Sequence, residues 1–283
     1  MSPKDRQQRK IDDRAVEEAS KLAPRLIYEV IRRDGEHELD RSTRSLFWSG
    51  IAAGIMISFS VLGEAVFRAF LPDTPARYLI ENMGYSLGFL FVILGRLQLF
   101  TENTITTVLP YMVKPRMAMA LRILRLWGLV LAANVLGAFV IATFYAFSNA
   151  LPAEVAVAVT ELSIHATGMG AWDSFVRAIP AGIIIAALVW TLPQAEGTEF
   201  FVIFLFTWLI AAGDFTHVVA GSVEMAWLVV QGQLGSIAAV FGFFLPVLAG
   251  NIVGGTAIFA MMAWGQVKDE VRGGHRHQWV RRR

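Results

Sequence analysis

The sequence of 283 residues contains no cysteine. Disulfide bonds, iron–sulfur clusters and thiol chemistry are therefore excluded for this chain. Charged residues are also scarce, at 17% of the chain against 55% hydrophobic residues. The mean hydropathy of +0.52 is higher than a soluble domain can bury in one core. These shortages predict a membrane protein.

Four runs without a charged residue approach or exceed the length needed to cross a bilayer, about 18–20 apolar residues. They are residues 46–63, 126–153, 178–195 and 237–267. Two further apolar runs, residues 83–113 and 200–230, are interrupted near their middles by polar residues. The predicted fold class is therefore an all-α membrane protein with six transmembrane helices, of which the second and fifth are broken. This channel domain covers residues 46–264, between an amphipathic cytoplasmic segment (1–45) and a basic cytoplasmic tail (265–283).

Lysine and arginine lie mostly on one predicted side of the bilayer, which indicates the cytoplasmic side. Eleven of these residues precede the first span, four lie between spans two and three, and six follow the last span. No signal peptide is recognisable at the amino terminus, because the first 45 residues are polar and mixed in charge. We therefore expect a multi-pass protein of the cell (inner) membrane with both termini in the cytoplasm.

Three short motifs recur in the same order in the two halves of the chain. The motif "IAAGIMI" (51–57) returns as "IPAGIII" (179–185), and "LAANVLG" (131–137) returns as "LAGNIVG" (248–254). Between them, "FTEN" (100–103) returns as "FTHV" (215–218). Because each unit has three spans, the second copy enters the membrane from the opposite side. The sequence thus predicts an inverted 3+3 repeat, with halves of about 46–150 and 172–264.

The two interruptions carry polar residues where lipid-facing helices have almost none. The expected break residues are Thr101 and Glu102 in the first half, and Thr216 and His217 in the second. Unwound backbone within a membrane needs partners in protein or water, because lipid supplies none. An ionisable side chain there costs about 2.5–3.5 kcal/mol on insertion scales, so a functional role is the default interpretation. The breaks are predicted to meet at an internal cavity.

These motifs resemble those of the formate/nitrite transporter family. "LQLFTEN" is similar to the "ELFTGN" element of the family's broken second helix, and "FTHVVAGS" to the fifth-helix element that holds its central histidine. "LPVLAGNIVGG" resembles the sixth-helix signature. The resemblance covers about residues 46–264. It implies an aquaporin-like bundle with one pore per subunit, and a homo-oligomer that is a pentamer.

Carried over residue by residue, the resemblance implies a pore centre at His217 with Thr101 facing it. Leu99 and Phe100 match family residues that narrow the pore. In the family, a small monocarboxylate or nitrite passes apolar constrictions with the help of proton transfer near this histidine, and histidine has a pKa suited to such exchange. The predicted pathway residues are Leu99, Phe100, Thr101, Glu102, Phe215, Thr216 and His217.

Departures from the family pattern indicate a divergent branch. Gln98 replaces the acidic residue that precedes "LFT", and Glu102 replaces the small residue that follows it. Arg96 and Asp214 stand where the family prefers glycine. The lysine expected to attract anions to the periplasmic mouth is Gly170. The substrate inference is weakened accordingly, because fold does not fix function.

Several roles stay open at this point. Glu102 either pairs with His217 or Arg96 as a structural lock, or takes a direct part in transport, because buried charges need partners. Asp214 is predicted as a helix cap or ion-pair partner. An amphipathic helix at residues 12–33 is predicted to dock on the membrane surface or to cover the inner pore mouth.

We expect a transmembrane channel or transporter for a small monovalent anion or its conjugate weak acid. The alternatives are a channel for a small neutral solute and a non-conducting membrane scaffold. A hydrolase built on Ser222 and His217 is disfavoured, because five residues place the two side chains on different helix faces. We expect no enzyme activity, no cofactor, no metal and no nucleic-acid partner; the expected partners are the substrate, the lipid bilayer and further copies of the chain.

Overall fold

The structure, a computed structural model, describes the backbone of residues 22–280 and the side chains of residues 22–272. The first half of the predicted amphipathic helix and the last three residues of the basic tail lie outside this range. The description that follows concerns the described residues alone.

The described chain is helical, and fourteen α-helices follow one another along it. They are α1 (Pro24–Asp40), α2 (Thr43–Met56), α3 (Ser58–Phe70), α4 (Pro75–Glu81), α5 (Ser86–Leu94), α6 (Phe100–Thr106), α7 (Val108–Val113), α8 (Met117–Phe147), α9 (Ala153–Thr167), α10 (Ala171–Thr191), α11 (Glu199–Ala212), α12 (Val218–Val230), α13 (Leu245–Ile252) and α14 (Met261–Val280). Short 3₁₀ turns occupy Asn82–Tyr85 and Leu192–Gln194, and π-helical segments precede α13 and α14 at Ala238–Phe244 and Val253–Ala260.

Four continuous helical stretches are long and apolar enough to cross a membrane. They are Thr43–Phe70, Met117–Phe147, Ala171–Gln194 and Ala238–Arg272. The four uninterrupted spans predicted from the sequence are thereby confirmed, although their boundaries differ. The second of them begins before residue 126 and ends at Phe147, because the chain turns there and Pro152 precedes the next helix. The two remaining apolar helices, Glu199–Ala212 and Val218–Val230, are shorter.

The helix α9 was not predicted, since residues 151–173 were assigned to a loop. It packs against α3 and α12 and buries Val155, Val159 and Leu162. A polar contact fixes it there, because Trp227 Nε1 on α12 donates to Thr160 Oγ1 at 2.9 Å. This short helix therefore covers one end of the bundle.

The first break lies elsewhere than the motif predicted, whereas the second contains Thr216 and His217 as predicted. In the first half the helix stops at Leu94 and resumes at Phe100, so the break spans residues 95–99. In the second half it stops at Ala212 and resumes at Val218. Thr101 and Glu102, predicted as break residues, instead lie in the first turn of α6. The reason is the Asn134 side chain, which accepts the Phe100 N–H at 3.0 Å and so lets the helix begin there.

The amino-terminal helix α1 packs under the bundle. It extends to Asp40, beyond the predicted end at residue 33, and buries Ile27, Tyr28 and Ile31. The Tyr28 hydroxyl donates to the Leu109 carbonyl at 2.8 Å. This part of the helix therefore packs against the bundle, while Leu26 and Val30 of the predicted apolar face stay exposed. We call this end of the bundle the α1 end, and the end covered by α4 and α9 the opposite end.

The outward face of the bundle is apolar over much of its area. Side chains that are half exposed or more include Phe91 and Leu94 on α5, Val140 and Phe144 on α8, and Leu205 on α11. Patches of this extent suit contact with lipid or with another subunit rather than with water.

Candidate functional site

Asn134 of α8 holds the first break in place through three hydrogen bonds to backbone groups. Its Oδ1 accepts the Phe100 N–H at 3.0 Å, and its Nδ2 donates to the carbonyls of Gly50 and Gln98, each at 2.8 Å. The side chain is fully buried. One asparagine thus satisfies unwound backbone groups that lipid could not.

Asn251 of α13 does the same for the second break. Its Oδ1 accepts the Val218 N–H at 2.8 Å, and its Nδ2 donates to the carbonyls of Ala178 and Thr216 at 2.8 and 3.0 Å. The two asparagines occupy equivalent places in the repeated "LAANVLG" and "LAGNIVG" motifs. Each repeat therefore carries the same asparagine-centred frame.

These hydrogen bonds correct the register of the middle motif. Because Phe100 and Val218 donate to equivalent asparagines, Phe100 corresponds to Val218, and Leu99 corresponds to His217. The prediction that "FTEN" matches "FTHV" residue for residue is wrong by three positions. The chance recurrence of "FT" in so apolar a sequence caused this three-residue error in the alignment of the two halves. The alignment of the outer two motifs agrees with the hydrogen bonds of Asn134 and Asn251.

The backbone of the two breaks is the same in detail. Leu97 N–H donates to the Val92 carbonyl and Phe215 N–H to the Ile210 carbonyl, both at 2.9 Å. Arg96 and Asp214, equivalent in the corrected register, have φ values of 49° and 52°. Residues with side chains rarely adopt this left-handed conformation. Glycine adopts this conformation without strain, so this chain accepts backbone strain at both breaks.

Close backbone approach keeps each frame together. A Cβ atom on Gly54 would collide with the Asn134 backbone, and one on Gly182 with the Asn251 backbone. Both glycines come from the repeated "AAGI" and "PAGI" motifs. The helix pairs α2–α8 and α10–α13 can approach this closely only because these positions lack a side chain.

His217 and Thr101 meet at the centre of the protein. The Nε2 atom of His217 lies 2.7 Å from Thr101 Oγ1, and the two residues are 2% and 1% exposed. The Nδ1 atom accepts the Ala220 N–H at 3.3 Å, which makes His217 the N-cap of α12. Because Nδ1 acts as the acceptor, the proton of the neutral ring is on Nε2 and points to Thr101. The geometry therefore holds a neutral imidazole with both nitrogens engaged.

Neighbours of His217 restrict its movement. The Phe89 ring lies edge-on to the imidazole, with centroids 5.0 Å apart. Thr216 Oγ1 donates to the Ser174 carbonyl at 2.8 Å, which ties the residue before the histidine to α10. The side chain of Phe215 folds over Gly213. Of these predicted pathway residues, Thr216 thus supports the backbone, and the contact with Phe89 was not foreseen from the sequence.

A cavity of about 540 Å³ opens at the α1 end of the break. Leu99 lines it, whereas Phe100 packs edge-on against Trp127 of α8, with ring centroids 5.7 Å apart. The charged and titratable residues in its wall are Asp34, His37, Glu38, Arg96, Glu102 and Glu199. Carboxylates outnumber cations in this set. The α1 helix forms part of the wall, since Gln98 Nε2 donates to Glu38 Oε2 at 2.7 Å.

Glu102 faces this cavity and makes neither of the contacts predicted for it. Its Oε1 atom is buried and has no hydrogen-bond partner among the described residues. No ion pair with His217 or Arg96 forms within 4.0 Å in the described range. Successive residues of a helix point about 100° apart, so Glu102 projects from α6 in a different direction from Thr101, which contacts His217. The carboxyl group therefore remains available to the cavity.

Asp214 has the charge partners that Glu102 lacks. Its carboxylate accepts hydrogen bonds from the Arg177 guanidinium and lies 3.0 Å from His165 Nε2. Arg177 and His165 belong to α10 and α9, at the opposite end of the bundle. These contacts hold the positive-φ residue of the second break against α9 and α10 at the opposite end of the bundle.

A nucleophile–base pair is absent at the second break. Ser222 Oγ donates to the Val218 carbonyl at 2.6 Å, and the nitrogens of His217 are engaged by Thr101 and Ala220. Within residues 22–272, no three histidine or acidic side chains cluster closely enough to hold a metal ion. The polar groups at the centre are therefore the Thr101 hydroxyl and the His217 imidazole, joined by a hydrogen bond.

Comparison with known proteins decides the family. The sequence profile described as formate/nitrite transporter matches residues 25–265. The chain belongs to the formate/nitrite transporter family. A curated relative in this family, the inner membrane protein YfdC of Escherichia coli (strain K12), is 43% identical over 245 residues, which are 87% of this chain and 79% of YfdC. The family and its divergent branch, both predicted from the motifs, are thereby confirmed.

Solved structures of the family have the same fold. A pentameric formate channel with formate bound aligns with a TM-score of 0.70 at 19% identity, over 80% of this chain and 97% of that one. An ion channel of the family aligns with a TM-score of 0.75 at 16% identity, over 85% of this chain and 98% of that one. Both of these structural relatives are channels.

Proposed function

We propose that the protein is a channel or transporter that carries a small monovalent anion, or its conjugate weak acid, of the formate or nitrite type. The observation that carries this proposal is the contact of His217 Nε2 with Thr101 Oγ1 at 2.7 Å, at the centre of the bundle between the two breaks. Membership of the family and the likeness to a formate channel support the substrate class.

The architecture follows from the repeated frame. Six spans form an inverted 3+3 repeat, aquaporin-like, with halves of about 46–150 and 172–264 in a channel domain of 46–264. The equivalent contacts of Asn134 and Asn251 support this arrangement. Residues 1–45 and 265–283 flank the domain in the cytoplasm, so both termini and the α1 end face inward in the cell (inner) membrane. The functional unit is a homopentamer with one pore per subunit.

Transport proceeds through the neutral acid at the narrowest point. Leu99 forms an apolar neck beside the α1-end cavity, where an anion would lose its hydration without compensation. A proton added to the anion removes that cost. In this step His217 takes up a proton at Nδ1, releases the Ala220 N–H, and gives the Nε2 proton to the anion with Thr101 orienting the ring. The products are the neutral acid and the neutral imidazole.

Liposomes with the purified protein test the proposal. Formate or nitrite is added outside, and the internal pH is followed with a trapped dye. We expect His217→Ala and Thr101→Val to lose most of the flux, roughly a hundredfold for the histidine, the lower end of what a proton-exchanging side chain contributes. Thr143→Val is the matched control, because Thr143 is exposed and bonds only within its own helix.

Three results would revise the proposal. Equal flux in the wild type and in His217→Ala would remove the role of the histidine. Flux of a neutral solute such as glycerol or urea, without any response to formate, would favour the neutral-solute channel. The absence of flux for the whole panel would favour a non-conducting scaffold.

A further inference from the structure

Glu102 is a carboxyl group on the α1 side of the central histidine. It follows Thr101 in the first turn of α6, and Thr101 contacts His217. Its side chain lines the cavity of about 540 Å³ at the α1 end. Glu224 of α12, by contrast, lies about two helical turns beyond His217, toward the opposite end. Glu102 therefore stands beside the proposed path between His217 and the α1 side.

The Glu102 side chain has a hydrogen-bond acceptor that the described part of the protein leaves unused. Its Oε1 atom is buried and accepts no hydrogen bond from a described residue. The nearby amide donors bond elsewhere, because Gln98 Nε2 donates to Glu38 at 2.7 Å and Asn103 Nδ2 donates to the Leu99 carbonyl at 3.2 Å. A buried polar atom of this kind needs a partner. The donor that fits must enter through the cavity.

The charges of the cavity wall decide which form of a weak acid is favoured there. The charged and titratable groups that face Glu102 across this cavity are Asp34, His37 and Glu38 of α1, Arg96 of the first break and Glu199 of α11. Carboxylates outnumber cations in this set, so an anion is repelled. A neutral weak acid escapes this repulsion, and it brings the O–H donor that the Glu102 oxygen lacks.

We propose that Glu102 accepts the proton of the neutral weak acid in the α1-end cavity. This inference rests on the proposed transport function and names the group that completes it on the α1 side. The acid O–H donates to the Glu102 carboxylate, the O–H bond breaks, and a new O–H bond forms on Glu102. The products are the anion and a neutral Glu102 side chain.

The remaining steps return Glu102 to its starting state. Glu102 gives its proton to water in the cavity, and the negative wall favours departure of the anion toward the α1 side. Transport from the α1 side uses the same steps in reverse, so that a protonated Glu102 converts the anion into the neutral acid before it reaches Leu99. His217 and Glu102 thus exchange protons with the substrate on the two sides of the narrow point.

Glu199 provides a matched comparison within the same cavity. It lies in the first turn of α11, and neither of its carboxyl oxygens is a buried atom without a partner. Glu199→Gln and Glu102→Gln each remove one negative charge from the wall. Only Glu102→Gln also removes the unused acceptor, so the two variants separate a proton-accepting role from a general effect of charge.

Infrared difference spectroscopy of the reconstituted protein reports proton uptake by Glu102 without any transport. Isotopically labelled formate is added at mildly acidic pH, because the label moves the bands of formate away from those of the protein. We expect formate to produce a carboxylic-acid C=O band in the wild type and in Glu199→Gln, and none in Glu102→Gln. Glu102→Asp, which keeps the acid group, should keep a band. A band that persists in Glu102→Gln, or no formate-dependent band in the wild type, would overturn the inference.

Formate flux in liposomes separates this inference from the function on which it rests. We expect Glu102→Gln to lose roughly tenfold, less than a proton-transferring group in a closed site contributes, because water enters the cavity and replaces part of its role. Glu102→Asp should recover most of the flux, and Glu199→Gln should lose less than Glu102→Gln.

The outcomes of the flux measurement are distinct. Wild-type flux in Glu102→Gln, together with loss in His217→Ala, would refute the proton-accepting role and leave transport intact. Equal losses in Glu102→Gln and Glu199→Gln would also refute it, because wall charge alone would then explain them. A wild type without any weak-acid flux would refute transport, while the infrared band would still decide whether Glu102 takes up the proton.

Discussion

The two breaks have the same backbone and different side chains. Each begins at a glycine, continues through a residue with positive φ, and ends where an asparagine from a neighbouring helix accepts the first N–H of the next helix. At the last position of the break the first half places Leu99 and the second half places His217. The backbone frame therefore sets the shape of both breaks, and the side chains Leu99 and His217 set how they differ.

The two breaks share one backbone frame, but only the second places a titratable side chain, His217, at its last position. Leu99 lines the α1-end cavity, whereas His217 contacts Thr101 at the centre. Thr101 has Val219 as its counterpart in the corrected register, so the hydroxyl partner is likewise present in only one copy. The shared backbone frame positions the site. Because the side chains of the two halves differ, the site contains a single histidine.

Exchange of the two side chains sharpens this comparison and has the largest expected effect. We expect His217→Leu to lose roughly a hundredfold in formate flux, on the scale of a lost proton-exchanging group. Adding Leu99→His will not restore flux, because the residue equivalent to Thr101 is then Val219, which has no hydroxyl. Adding Thr101→Val and Val219→Thr as well rebuilds the pair in the opposite orientation and should restore flux. Wild-type flux in the variant that carries only His217→Leu and Leu99→His would contradict the structural equivalence of Leu99 with His217 and of Thr101 with Val219.

Loss of either asparagine should destabilise the protein to the same extent. Asn134→Ala and Asn251→Ala each remove three hydrogen bonds to buried backbone groups, at roughly 0.6–1.7 kcal/mol per bond in membrane proteins, so about 2–5 kcal/mol. Thermal unfolding in detergent measures the effect, with Thr143→Ala on the exposed face of α8 as the control. A strong effect of one asparagine and none of the other would break the comparison.

The glycines that bring the helices together come next in magnitude. Gly54→Ala and Gly182→Ala each force a Cβ against the backbone of an asparagine, and overpacking of this kind costs about 1–3 kcal/mol. Gly128→Ala is the control, because no atom lies within 4 Å of a Cβ at that position. Unfolding temperatures of the three variants test this directly. Equal temperatures in all three would show that the helices can separate without loss.

The smallest expected effect is on the stability of α1, which lies outside the two repeat halves. Hydrogen bonds from Arg32 lower the pKa of Glu29 to about 2, from an ordinary value of 4.5. The folded-state pKa is depressed, so this ion pair stabilises α1 above about pH 4.5 and the contribution is lost as the pH falls toward 2. Because the pair is partly exposed, we expect Glu29→Gln to cost about 0.5–1 kcal/mol at neutral pH. Hydrogen exchange of α1 measures it, and an unchanged rate at pH 7 would refute the contribution.

Composition and motifs predicted the membrane class, the four long spans and the family, because apolar runs and glycine spacing are local properties. The second break was predicted at Thr216 and His217, where the structure has it, but the first was placed too late, at Thr101 and Glu102. Both breaks end where an asparagine accepts the first N–H of the next helix, and Asn134 and Asn251 lie 34 and 33 residues away from the N–H groups they accept. Sequence similarity at "FT" suggested a register that these distant contacts overrule.

The candidate site was predicted in part for the same reason. His217 and Thr101 were expected to face one another, and the structure places them in contact. The surroundings of Glu102 depend on how α1 packs across the cavity mouth. No local pattern encodes this arrangement, although a carboxylate inside an apolar run was itself a signal.

The central claim is that the two breaks lie on one path, with His217 between its ends. The natural absence of cysteine allows a direct measurement with Glu102→Cys and Glu224→Cys in liposomes of known orientation. A membrane-impermeant thiol reagent should block formate flux through Glu102→Cys only from the α1 side, and through Glu224→Cys only from the opposite side. Block of both variants from the same side, or full modification of both without any loss of flux, would contradict the account.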